Sequence, residues 1–559
     1  MSEGDCTIPR SRAQWVRSAV FIAGLLYATA GFAVATEVPP QPAPDVAADE
    51  PLLIAQADGS PGIAITESLA MVRASLIVTP NVVGIARRSA SVETPAIGSV
   101  PRTVFQRVDF EPREGFSVDD AGNLIVDGDP SNVSYSWYGR QGSQHLLLTV
   151  VRGHVRGMYY GPALRLGIST EGPRTLLREL DATAVDFAGC ASNRIAELAD
   201  TVATVSKSRL QISDIRESTR SPVDIAQHAK PAASIAAAAR AQSKHSARIG
   251  VLFYYTTAAE DFQTDPDDPS TALGVTGLQN LATSWIDQVN TTLRNSGDPY
   301  YVRFEQIGGV TLHPTYSELT AQQQPDANLR FGGHLYFLRD HDRLGPPGSR
   351  QDIGADFAVM MVADSGNTDR RIWGAAYTQR NNCLSDGQCD VGDGVFPVSP
   401  GTYRDHAYAA LTVNPVAQNL TFSHELGHML GSNHDPNIEY PLSGLRGAYG
   451  YAYGYRIPGV VRDVMADPEC IDDDGSGMGT SVTCTTRQWQ YSNPRVSFIG
   501  SGSTAGAVTA DASRTITCLA EPSGNLYPMA PRQVAPDIFW GGFEAPGLSV
   551  STCGTRLLW

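Results

Sequence analysis

"HELGHMLGSNHD", residues 424–435, holds three histidines, a glutamate and two glycines in twelve positions. On a helix at ~100° per residue, with Phe422 as zero, Leu426, Met429 and Leu430 fall within about 80°, while His424 and His428 fall at about 200° and 240°. One face can therefore bury in a core while the other presents two imidazoles one turn apart. That i, i+4 spacing lets both rings bind one metal, with Glu425 beside them. The third histidine cannot join while the helix continues, because His434 would lie ~15 Å along the axis from His424 at 1.5 Å per residue. Zinc–nitrogen bonds of about 2.0–2.1 Å require all donors to converge on one point. The chain must turn back after His428, and Gly431 is where it can, since glycine enters the left-handed conformation that ends helices. The competing reading is a coincidental histidine cluster, for which a chance match to His-Glu-x-x-His-x-x-Gly-x-x-His is on the order of 10⁻⁵ per chain. Three imidazoles leave a fourth metal position for water, the mark of a catalytic rather than a structural zinc.

The surrounding chain has 559 residues, room for two or three domains, and a formal net charge of −16 that argues against nucleic acid or an anionic membrane as main partner. Arg10, Arg12 and Arg17 precede the apolar stretch "SAVFIAGLLYATAGFAVA", which ends in Ala33-Val34-Ala35. This reads as a secretory signal (1–35) cleaved after Ala35, the alternative being an uncleaved membrane anchor. A secreted protein with no stable membrane association after cleavage follows, in a compartment that permits disulfides. Of the eight cysteines, Cys6 leaves with the signal. Cys383/Cys389, Cys470/Cys484 and Cys518/Cys553 form sequence-adjacent pairs, although sequence does not fix connectivity. Cys190 is the odd one out.

A Pro/Ala-rich tether (36–51) leads to residues 52–225, where apolar alternation broken by Asp-Gly and Arg-Gly turns predicts strands. His145 and His154 there are isolated, and a solvated or structural role is expected of them. Residues 226–247 are alanine-rich without a core pattern, a linker of the kind favoured for proteolytic processing. A new pattern opens with "RIGVLFYYT", a buried strand. Leu278, Leu281, Trp285, Val289 and Leu293 recur at helical spacing with Ser296-Gly297 as a C-cap. "YYVRFEQIGGV", "ADFAVMMVAD" and "RIWGAAYT" predict further strands, and 318–340 a second helix. The alternation predicts a sheet that begins βαβ.

With these residues in place, the sequence resembles the metzincin clan of zinc endopeptidases, which carries the extended zinc motif and a downstream methionine turn. "VRDVMADPEC" supplies Met465, and Asp435, directly after the third histidine, points to the reprolysin (adamalysin)-like branch of bacterial secreted type. "VNTTLRNSGDPYYVRF" and "QYSNP" (490–494) are similar to other segments of that branch. The resemblance spans roughly 246–500. It implies an α/β (α+β) metzincin-like catalytic domain (248–500) with a twisted mixed sheet, an active-site helix and a Met-turn. A mainly β propeptide domain (52–225) precedes it, and a tail (501–559) of open role follows.

It further implies His424, His428 and His434 as ligands of one catalytic Zn2+, and Glu425 as general base and later proton donor. Met465 is implied as an apolar floor, and Asp435 as a buried carboxylate tying the motif's end down, a simple turn residue being the other reading. Gly374, Ala375 and Ala376 are implied to lie on an edge strand that pairs with extended protein or peptide substrates. Asp467 stands where related branches place a metal-approaching tyrosine, which excludes a tyrosine ligand there. Asp472, Asp473 and Asp474 could take Ca2+, but their spacing matches no calcium loop, and a solvated acidic turn is the alternative. Cys190 is a candidate latency switch, its thiolate filling zinc's open position; an inert buried thiol is the other reading. The function implied is a secreted zinc endopeptidase made as a latent precursor. The alternatives are a non-catalytic binding or adhesion protein on the same scaffold and a signal-anchored surface protease. Oligomeric state is not legible.

Overall fold

The computed structural model describes residues 72–180, 247–378, 406–466 and 482–526, apart from connecting stretches within them, and the short strands at 52–55, 64–65, 189–190 and 470–472. The signal (1–35), the tether, the linker 226–247 except its last residue, Cys383, Cys389, Cys553, Asp467, Asp473 and Asp474 lie outside the described residues.

Ten strands from the first part of the chain build its larger sheet: β1 (Leu52–Ala55), β2 (Ala64–Ile65), β3 (Val72–Pro80), β4 (Ser91–Thr94), β5 (Thr103–Glu114), β6 (Ser134–Gln141), β7 (Gln144–Val151), β8 (His154–Tyr160), β9 (Arg165–Glu171) and β10 (Arg174–Leu180). They form one sheet in the order β1-β4-β5-β6-β7-β8-β9-β10-β3-β2. All neighbours are antiparallel except β1 and β4. β1 also pairs with β3, so it joins both halves and the sheet curls on itself. Inside the curl sit Phe105, Trp137, Leu146, Leu148, Tyr159 and Ile168 among others. Residues of the opposite parity, Tyr138, Leu147, Met158 and Tyr160, point outward and are also buried.

A mixed sheet follows, with β11 (Gly189–Cys190), β12 (Ala247–Tyr255), β13 (Val302–Gln306), β14 (Phe357–Val362), β15 (Ile372–Ala376) and β16 (Tyr408–Thr412) in the order β11-β15-β16-β14-β12-β13 and the two-residue strand Thr311–Leu312 beside β12. β15 runs antiparallel to β16; the other pairings are parallel. Helix α1 (Gly274–Asn295) connects β12 to β13 and buries Leu278, Leu281, Trp285, Val289 and Leu293. On β12, Val251 and Phe253 face the core that includes α1, whereas Leu252 and Tyr254 face the one that includes α2 (Ala327–Arg343), the strand's period of two dividing its residues between layers. The zinc-motif segment forms α3 (Thr421–Met429), and α4 (Ala512–Ser523) adds Ile516, Leu519 and Ala520 to the first of these cores.

The α/β architecture with a mainly β propeptide domain set ahead of it, expected from sequence, is not what the chain adopts. Among the described residues the protein is mostly β, its largest sheet is the curled antiparallel one, and helices are few. The reason lies in runs such as Leu146-Leu147-Leu148 and Met158-Tyr159-Tyr160, which are apolar at both parities. Such strands bury both faces. Their outward residues join α1 and the α3 region in one cluster, so the curled sheet is a wall of the same core rather than a separate layer. Both sheets belong to one compact unit, Glu50–Trp559.

Candidate metal centre

α3 ends where the motif requires it to. Gly431 takes φ 80°, the Ser432 N–H donates to the Gly427 carbonyl at 2.9 Å, and the Gly431 N–H to the His428 carbonyl at 2.9 Å. This is a Schellman closure. The chain then runs back beside residues 452–454, held by Asn433 N–H to Ala452 O (2.7 Å) and Gly454 N–H to Asn433 O (2.9 Å). The reversal brings the three histidines together: Nε2 of His424 lies 3.0 Å from that of His434 and 3.1 Å from that of His428, and the last two are 3.0 Å apart. All three side chains are buried.

The other ring nitrogens fix the tautomers. Nδ1 of His424 is 2.7 Å from the Val464 carbonyl, and Nδ1 of His428 is 2.9 Å from the Ser432 carbonyl. A carbonyl can only accept, so both Nδ1 atoms carry the proton and both Nε2 atoms present lone pairs to the centre. Burial, then the neighbouring imidazoles of His428 and His434, then Arg487, hold the His424 pKa well below its ordinary value, which keeps it neutral. Three nitrogens at this spacing fit around one ion at about 2.0–2.1 Å. The triad can hold a metal.

Its support comes from a turn at 462–466. Asp463 is buried, accepts from the Ala466 and Ser492 amides at 2.7 Å each, and is pushed up to about 7 by burial. Arg462 Nη1 donates to the Ala466 carbonyl at 2.7 Å. The turn presents Val464 O to His424 and packs Met465 beneath α3, so close that a Cβ on Gly427 would lie 2.3 Å from the Met465 sulfur. Tyr491 donates from its hydroxyl to the Ser423 carbonyl at 2.6 Å, bracing α3 one residue before the first histidine. Asp435 pairs with Arg456 at 3.2 Å, both largely buried. Asp463 and Tyr491 were not singled out from sequence. "QYSNP" marked the neighbourhood of Tyr491, but a carboxylate's burial leaves no trace in the chain.

Glu425 is fully buried, and its Oε1 lies 2.8 Å from where a Cβ would stand on Gly374. β15 thus crosses directly beside the carboxylate. Ala375 and Ala376 continue that strand and pair with Ala410 and Ala409 of β16. The opposite side of β15 is taken by β11, with Cys190 in register with Gly374. Cys470 and Cys484 are cross-strand partners in a small hairpin, and Cys518 is disulfide-bonded.

No family model and no curated protein matches the sequence. Among solved structures, a chaperone–substrate complex is similar over 50% of this chain and 39% of its own, at 16% identity and a TM-score of 0.31. Metalloproteinase-II from Bacteroides fragilis is similar over 62% of this chain and 82% of its own, at 10% identity and a TM-score of 0.28. Likenesses this distant carry neither fold nor activity across.

Proposed function

We propose that the chain is a zinc-dependent endopeptidase with a reprolysin-like metal motif, made as a latent, exported precursor. The observation that carries this reading is the convergence of three buried Nε2 atoms at 3.0–3.1 Å on the helix that also bears Glu425. His424, His428 and His434 would hold the ion. A zinc ion there would lower the pKa of a bound water to about 7 and polarise a peptide carbonyl. Glu425, adjacent in sequence to the first ligand and excluded from bulk solvent, accepts the water's proton and returns it to the departing amine. Gly374 leaves room for that carboxylate, and β15 offers backbone groups to an extended polypeptide by strand addition.

Latency is assigned to β11. It occupies the side of β15 that a substrate would need, and Cys190 carries a thiol able to ligate zinc when ionised. Export rests on the N-terminal sequence.

Casein hydrolysis by the purified, processed protein, with and without a chelator and beside Glu425→Ala, tests the reaction. Cleavage that survives the chelator, or an active Glu425→Ala protein, overturns it. Cys190→Ser should raise the activity of uncut protein; unchanged latency removes Cys190 from the account.

A further inference from the structure

The outer face of the curled sheet is built as a docking surface. On β5, Asp109 and Glu111 alternate and share one face, and Arg113 follows them at the register shift between Pro112 and Glu114. Each meets an opposite charge from the mixed-sheet body: Asp109 with Arg294 at 2.6 Å, Glu111 with Arg303, and Arg113 with Asp287. Asp287 is buried on α1 and also accepts from the Thr149 hydroxyl of β7. Along β5 the signs run negative, negative, positive and the partners carry the reverse order, so a displaced docking would set like charges together at one end of the row. Beside this row, Trp489 is fully buried among Tyr138, His145 and Tyr160, with ring centroids 6.0–6.3 Å apart.

Trp489 sits in the segment that supports the metal centre. Its neighbour Gln488 donates from its amide to Arg462 O at 2.8 Å, and Gln490 O accepts from the Val464 amide at 2.9 Å. These contacts hold the turn whose Val464 carbonyl fixes His424. Tyr491, two residues on, braces α3 through Ser423. A continuous set of contacts therefore runs from the curled sheet through Trp489 to the first histidine.

We propose that the sheet of residues 72–180 is a resident subunit of the metal centre rather than a discarded segment: when the chain between it and residue 247 is cut, the two pieces stay associated without a covalent link, and the docked sheet maintains the histidine geometry. Processing then frees the β15 edge by releasing β11 while leaving the sheet in place. The first half stands on the interface alone; the second rests on the metal reading given above.

The experiment inserts a site for a sequence-specific protease within 226–247 of the full chain and cuts it after purification. The expected result is co-elution of the two fragments at the mass of the uncut chain at physiological salt, with separation in denaturant only. Fragments that separate without denaturant overturn the proposal. Arg113→Asp should weaken the association of the cut pieces at least ~100-fold, and adding Asp287→Arg should restore co-elution. If the single variant does not fold, the unmutated cut protein still decides. For the second half, Co2+ titration is followed by visible absorbance. The uncut Cys190→Ser chain should take up one ion per chain, and adding Trp489→Ala to it should weaken that uptake at least ~10-fold while the far-ultraviolet circular dichroism is kept. Full uptake by the Trp489→Ala chain refutes the supporting role while leaving co-elution as a separate result, and absence of uptake by the Cys190→Ser chain counts against the metal reading instead.

Discussion

Both halves of the molecule bury histidine, to opposite ends. In the curled sheet, His145 stacks on Trp489 and binds the Tyr138 hydroxyl through Nδ1 at 2.7 Å. Burial, then Arg140 and Arg165, pushes its pKa down to about 3. It is a flat, neutral packing element in which only Nδ1 finds a hydrogen-bond partner. In α3 and the turn after it, burial is the same and His424 is likewise held neutral, but each ring is turned so that Nε2 meets two others. Burial and a depressed pKa therefore do not distinguish a ligand from a core ring; convergence of acceptors does.

The sharpest way to break that comparison is to remove one ring from each half. His428→Ala should reduce bound metal from one ion per chain to below ~0.1, read by elemental analysis, since two imidazoles leave an incomplete site. His145→Ala should keep the ion and lower stability by about 1–3 kcal/mol in a thermal melt. Equal metal loss in both would erase the distinction. Next in size, Glu425→Gln should retain the ion while peptide hydrolysis falls roughly 10²–10⁴-fold; loss of the ion together with activity would make Glu425 structural.

Smaller effects separate the packing of the two halves. Gly427→Ala places a methyl 2.3 Å from the Met465 sulfur, whereas Gly167→Ala on β9 meets only Leu180 Cδ1 at 3.6 Å. The first should cost about 1–3 kcal/mol by overpacking and the second almost nothing. A reversed order in urea melts would show that the floor under α3 is soft.

The smallest effect is a pH dependence. His145 is neutral in the fold down to about 3, while the unfolded chain protonates it near 6.5. The unfolded state therefore binds more protons in between. The contribution is fully present above 6.5 and is lost as pH falls toward 3, amounting to about 1 kcal/mol by pH 5.5. His145→Gln should flatten that slope; an unchanged slope would assign it to other groups.

Much of the metal centre was legible because its demands are local. The i, i+4 pair, the glycine and the third histidine lie within eleven residues, and helix geometry alone requires a break at Gly431. The strands at 247–255, 302–306, 357–362 and 372–376 and helix α1 were legible from periodicity. The strand Tyr408–Thr412 was not, although it lies between β14 and β15. The architecture failed for a related reason. A run such as Leu146-Leu147-Leu148 announces burial but not what covers its second face, and that partner, α1, lies far along the chain. The pairing of Asp109, Glu111 and Arg113 with residues nearly two hundred positions away is equally invisible in one sequence.

The tautomers fixed by Val464 and Ser432 have a consequence for biogenesis. A chain that folds without an ion brings together three ring nitrogens of which at most one can carry a proton, so the empty fold holds lone pairs against one another in a dry interior. On the metal reading proposed above, an ion bound there would stabilise each loaded molecule by mass action, and unloaded ones would be left nearer the threshold for degradation.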